Sequence, residues 1–262
     1  MSKPRTVPLL IGNWKTTPAT LAEGITFIKT LDKKLSAPKT KVSKKAYYLA
    51  VPDIFIPHLN EITKTGFIGS QNISGTSLGQ TTGETIPSQL ITAGASFTII
   101  GHSEVRARGE TSDARAHKVA LALQSKLLTI LCVGEQVRDK QGNYLSELEE
   151  DVKQSLSLVQ RNLFENLVIA YEPVWAVGAK TPATPRECFE VVIALRRALA
   201  SLVGIEYAKK VHVLYGGTVT AENARDFIEE GGVDGLLIGR ASQDVKTFCD
   251  IIASCTAKTK AL

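Results

Sequence analysis

Residues 127–173 read LLTILCVGEQVRDKQGNYLSELEEDVKQSLSLVQRNLFENLVIAYEP, and this stretch decides the fold. Residues 128–133 and 167–171 are short runs of almost wholly apolar character. A strand with one face in water alternates apolar and polar residues, so uninterrupted runs predict strands buried on both faces, as in parallel sheets. Between them, residues 144–164 carry Leu145, Leu148, Val152, Leu156 and Val159 at intervals of three and four. That spacing predicts an amphipathic helix with one apolar stripe.

The same unit repeats outward in both directions. Further apolar runs occupy 7–11, 47–51, 66–70, 97–100, 211–215 and 235–238. Residues 113–126 place Ala116, Val119, Ala120 and Leu123 on one helical face. Residues 185–202 open on Pro185 and carry Phe189, Val192, Leu195 and Leu199. Thr220, Asn223 and Phe227 begin another helix that Gly231 and Gly232 end. Eight strand–helix units in one chain of 262 residues predict an α/β fold, a single closed (β/α)8 barrel. The rival is an open doubly wound sheet, but no GxGxxG follows the first strand. No linker interrupts the pattern, so residues 1–262 are expected to form one catalytic domain.

Composition narrows the function. With 44% hydrophobic and 22% charged residues, the chain is neither disordered nor a stapled mini-protein. A net charge of +5 suits an anionic substrate. The densest basic run, 33–45, lacks interleaved aromatics, so a nucleic-acid partner is not expected. Cys132, Cys188, Cys249 and Cys255 form no CxxC pair and only four histidines are present, so no metal site is expected. No leader and no membrane-spanning run are seen, and a cytoplasmic location is expected.

Catalysis in such a barrel sits beyond the C-terminal strand ends. Asn13 and Lys15 follow the first run, Gln71 and Asn72 the third, His102, Ser103 and Glu104 the fourth, and Glu135 the fifth. Glu172 follows the sixth, Gly216 and Gly217 the seventh, and Gly239 and Arg240 the eighth. A carboxylate at the end of a buried strand, as Glu172 is, is partly desolvated and therefore a stronger base. It equally suits an ion pair with a barrel lysine. His102 is either a satisfied core histidine or a neutral imidazole that polarises a carbonyl beside a helix start. Lys15 supplies positive charge or pairs with Glu104. Gly178, Gly216, Gly217 and Gly239 lie in loops where backbone N–H groups can bind an anion, although glycines also cap turns. The segment 173–185 has the length of a closing lid.

Taken together, GNWK at 12–15, GSQNIS at 69–74, TGE at 82–84, GHSE at 101–104, CVGE at 132–135, AYEPVWAVG at 170–178, YGGTV at 215–219 and DGLLIGRAS at 234–242 resemble the triosephosphate isomerase family over nearly the whole chain. The resemblance implies a cofactor-free isomerase of a small phosphorylated sugar. It implies that Glu172 is the base, His102 the electrophile, Lys15 and Asn13 the electrostatic clamp, and Glu104 a carboxylate beside Lys15. It places Gly178, Thr218, Gly239 and Arg240 around the phosphate with Gly216 and Gly217, and makes Tyr215 a lid partner. It also implies a homodimer in which the loop at 82–84 enters the neighbouring subunit.

The chain departs from the family pattern at Thr16 and Thr17, at Val105 where an arginine is usual, in the central residues and far hinge of the lid tip 176–184, at Thr218 in place of serine, and at Arg240 in place of a second glycine. The ion pair of that arginine is expected to be lost or moved to Arg106 or Arg108. The altered lid and Arg240 leave room for a paralogue acting on a four-carbon ketose phosphate. Two rivals from other classes are an aldolase using Lys15 as a Schiff-base nucleophile and a phosphate-ligand binder without turnover.

Overall fold

In the computed structural model, which describes residues 7–37, 46–76, 78–79, 81–177 and 182–256, the eight apolar runs form eight strands. They are β1 (Leu9–Asn13), β2 (Tyr47–Ala50), β3 (Gly66–Gly69), β4 (Phe97–Ile100), β5 (Leu128–Val133), β6 (Leu167–Tyr171), β7 (His212–Tyr215) and β8 (Gly235–Ile238). Every pairing is parallel, and the sheet order is β3-β2-β1-β8-β7-β6-β5-β4. The two ends meet through a parallel bridge between Ser70 and Thr98, whose hydroxyls also bond at 2.7 Å. The sheet is therefore a (β/α)8 barrel, as the sequence predicts.

Successive strand residues face opposite sides. Leu9, Ile11, Phe97, Ile99, Ile130, Cys132, Val168, Ala170, Leu214 and Leu237 fill the barrel interior. Leu10, Ile100, Leu131, Val133, Leu167, Ile169 and Tyr171 point outward to the helices. Those are α1 (Leu21–Leu35), α2 (Ile56–Ile62), α3 (Pro87–Thr92), α4 (Ser103–Arg106), α5 (Ser112–Gln124), α6 (Asn143–Ser155), α7 (Pro185–Val203), α8 (Ile205–Ala208), α9 (Ala224–Glu229) and α10 (Val245–Thr256). Among the described residues, no helix is long and apolar enough to cross a membrane.

Several boundaries shift by one or two residues from the sequence reading, and two differences have a clear physical cause. β1 starts at Leu9 rather than Val7, which is 45% exposed. Its ladder is fixed by Leu9 against Gly235 and Asn13 against Ala50, so Asn13 closes the strand instead of following it. The helix expected over 144–164 ends at Ser155, and a 3-10 turn spans Arg161–Asn166. Ser155 is fully buried, donating to Asp151 O and accepting from Arg115 Nε at 2.8 Å. A contact reaching 40 residues back ends this helix, while Leu156 and Val159 still pack on the core.

β8 lies so close to β1 that a Cβ on Gly235 would sit 1.9 Å from Leu9 O. Replacing Gly235 by Ala must push two central strands apart. Urea denaturation should show a loss of about 3 kcal/mol; a loss under about 0.5 kcal/mol would show that the ring relaxes freely there.

Candidate active site

The last residue of β1 begins the site. Asn13 Oδ1 accepts from Lys15 N at 3.0 Å, and Gln71 donates to Lys15 O at 2.5 Å. These bonds hold Lys15 at φ 56, a left-handed conformation that costs a residue with a Cβ about 1–2 kcal/mol. The bend brings Lys15 to the mouth, where its ammonium bonds Glu104 Oε1. Burial alone would raise the Glu104 carboxyl, but Lys15 outweighs it and holds the group below its usual range, helped by Arg108.

Glu172 is 1% exposed at the end of β6, its N–H bonded to Val133 O at 2.8 Å. Its Oε2 accepts from the backbone N–H of Ser103 at 2.8 Å, and its Oε1 lies 3.2 Å from His102 Nε2. Among the described residues, no ion pair of Glu172 with a barrel lysine is formed; Lys15 is engaged by Glu104. Glycines on both sides make room. A Cβ at Gly134 would lie 1.7 Å from Glu172 O, and one at Gly216 would lie 3.0 Å from Glu172 Cγ.

His102 caps α4 and is 7% exposed. Its Nδ1 accepts from Glu104 N at 3.2 Å. A nitrogen that accepts carries no proton, so the neutral ring holds its hydrogen on Nε2, facing Glu172. A carboxylate base, an imidazole donor and an ammonium thus converge on one mouth. That set can remove a proton beside a carbonyl and stabilise the oxyanion that results.

The glycine loops come from β7 and β8. Gly217 follows Gly216 because a Cβ there would collide with the Tyr215 hydroxyl at 2.2 Å. Gly239 abuts Lys15, whose Cε is 3.9 Å from where a Cβ would sit. Arg240 is exposed and opens a 3-10 turn over Arg240–Ser242. The loop is tied to β1 by Trp14 Nε1 to Ser242 O and Gln243 Nε2 to Trp14 O, both 3.0 Å. Thr218 turns its hydroxyl to Ala176 O at 2.9 Å, so this side chain braces the near end of the expected lid. Gly178 and Lys180, expected at the lid tip, lie outside the described residues.

The near end of the expected lid carries a contact that residue spacing did not reveal. Glu135 Oε1 accepts from Tyr171 Oη at 2.8 Å, Arg138 Nε at 3.0 Å and Trp175 Nε1 at 3.0 Å. Its place after β5 was visible in CVGE, but its three donors were not. At the far end of the expected lid, Thr184 and Glu187 form a reciprocal capping box at the start of α7. The buried Tyr215 hydroxyl lies beside the Ala183 backbone without completing a hydrogen bond among the described residues. With Val105 in place of arginine, Arg106 Nη1 reaches Gly134 O at 3.1 Å, and Glu110 pairs with Lys118 at 2.7 Å.

The triosephosphate isomerase family model matches residues 8–255. A triosephosphate isomerase of Coprinopsis cinerea is 35% identical over 244 residues, covering 92% of this chain and 95% of its own. One from Candida albicans is 40% identical over 188 residues, 71% of this chain and 75% of its own. One from Thermoanaerobacter pseudethanolicus is 34% identical over 249 residues, 94% and 98% respectively.

The Glu104 N–H fixes the His102 tautomer. Nitrogen-15 spectra of the histidine-labelled protein should show a neutral His102 ring protonated at Nε2. Protonation at Nδ1 would mean that the bond to Glu104 N is absent in solution.

Proposed function

The chain belongs to the triosephosphate isomerase family and is an isomerase; on that premise we propose that Glu172, His102, Lys15 and Asn13 carry the interconversion of D-glyceraldehyde 3-phosphate and dihydroxyacetone phosphate. The observation that carries the reading is the 3.2 Å approach of Glu172 Oε1 to His102 Nε2. Glu172 takes the proton from the carbon beside the carbonyl. The electron pair moves onto the carbonyl oxygen and gives an enediolate. His102 donates from Nε2 to that oxygen and recovers a proton from the neighbouring hydroxyl. Glu172 then returns its proton to the adjacent carbon, which leaves the enzyme unchanged.

Lys15 and Asn13 oppose the negative charge as it develops. A fixed positive charge contributes more in a site from which water is excluded. Glu104 positions Lys15 and does not touch substrate. Gly216, Gly217, Thr218, Gly239 and Arg240 surround the phosphate through backbone N–H groups, with Gly178 from the lid. The relatives above are all named for the three-carbon reaction, and no observation here favours the four-carbon one.

The reading takes residues 1–262 as one catalytic domain acting in the cytoplasm without cofactor, metal, nucleic acid or membrane. Four unpaired cysteines accord with a reducing compartment. It also takes the enzyme as a homodimer. Glu84 of the 82–84 loop accepts from Ser74 and Thr81, and Asp53 contacts Thr85. Ile54 and Leu78, 78% and 80% exposed, give this region an apolar surface for a second copy.

Replacing Glu172 by Gln should lower kcat for D-glyceraldehyde 3-phosphate about 10³-fold and leave binding of a phosphate analogue nearly intact. Turnover near that of the unaltered enzyme would remove Glu172 from the base role. Sedimentation equilibrium should give twice the 28.3 kDa chain mass; a single-chain mass at micromolar concentration would refute the homodimer.

A further inference from the structure

A cavity of about 330 Å³ lies between β5 and α6, beside the catalytic mouth, and none of the roles above uses it. Five charged side chains line it, Arg106, Glu135, Asp139, Glu147 and Asp151; all but the exposed Glu147 are anchored through one atom and leave another buried atom without a partner among the described residues. Arg106 Nη1 donates to Gly134 O at 3.1 Å, whereas Nε and Nη2 find no partner among the described residues. Glu135 is 5% exposed; its Oε1 takes three hydrogen bonds and its Oε2 none. Asp139 Oδ2 accepts from Asn143 at 2.6 Å, leaving Oδ1. Asp151 Oδ1 is bonded by Arg115, leaving Oδ2.

A buried polar atom without a partner costs about 1–3 kcal/mol, and five such atoms belong to side chains that line this one cavity. Their types define what would satisfy them. Nε and Nη2 form the guanidinium edge that meets a carboxylate in two parallel bonds. The opposing atoms are carboxylate oxygens, which only accept and suit the three donors of an ammonium. An anion alone would face four carboxylates, and a cation alone would face Arg106. Among the described residues, no group of three or more His, Cys, Asp or Glu is placed to hold a metal ion.

We propose that this cavity binds a small zwitterion, a free α-amino acid, with its carboxylate on Arg106 and its ammonium among Glu135, Asp139 and Asp151. Tyr144 and Leu148, both buried, give an apolar wall for a short aliphatic side chain, and exposed Val137 stands on the solvent side. The ammonium draws on the same carboxylate that holds Trp175, so binding is reported at the lid's near hinge.

The test is a titration of L-alanine into the folded protein, followed by calorimetry and by tryptophan fluorescence. Acetate and methylammonium serve as the separate halves. Saturable binding, at least about tenfold tighter than either half, is expected. Arg106→Lys keeps the charge but removes the fork, and Asp139→Asn keeps an acceptor for Asn143; each should weaken binding about tenfold. Affinity no better than that of the halves, binding indifferent to both substitutions, or a crystal soaked in L-alanine with only water in the cavity would overturn the proposal. If either variant fails to fold, the comparison with the halves on the unaltered protein decides. Binding is read without turnover, so failure here leaves the assigned reaction untouched.

Discussion

Eight strands buried on both faces cannot leave backbone N–H and C=O groups open, because no water reaches them. Each strand must therefore be paired on both edges, and only a closed ring gives eight strands sixteen paired edges. The parallel ladders from β4 round to β3 meet most of this demand, and the Ser70–Thr98 bridge completes it. The ring in turn settles where chemistry can occur. Its interior is filled by side chains such as Ile11, Phe97 and Val168, so reacting groups can gather only beyond the strand ends.

At that rim the charges are arranged in two tiers. Lys15 is paired with Glu104, a partly exposed partner, which holds the ammonium in its place near Gly239. Glu172 is kept away from that cation and is held by an N–H and an imidazole instead. A carboxylate paired with a cation is a weaker base, because its negative charge is already stabilised. In the proposed reaction, separating Lys15 from Glu172 allows one to stabilise charge and the other to accept a proton. Glycines 134 and 216 make this geometry possible by giving the Glu172 backbone and side chain space from both neighbouring strands.

The strands were legible in the sequence because burial on both faces leaves an uninterrupted apolar run, and the rim residues were legible because they follow those runs directly. What was not legible depended on distant contacts. β1 slid by two residues because its register is set by β2 and β8, and α6 stopped early because Arg115 captures Ser155. The Ser103 N–H that holds Glu172 has no side-chain signature at all. The left-handed turn at Lys15 also leaves no compositional trace, since glycine is the residue that normally marks one. Glu135 was visible as a strand-end carboxylate, yet its ties to Tyr171, Arg138 and Trp175 come from three separate segments that only the folded ring brings together.

The junction of β3 with β4 also has a topological meaning. Everywhere else around the ring, hydrogen-bonded neighbours are joined by ladders of two or more residue pairs, including β8 with β1 at opposite ends of the chain. At β3 and β4 a single bridge makes the link. A circularly permuted polypeptide that began at β4, ran through a joined β8 and β1, and ended at β3 would make every laddered neighbour consecutive in its sequence. The natural numbering starts in the middle of the continuous sheet, and its structural seam lies between the third and fourth repeats.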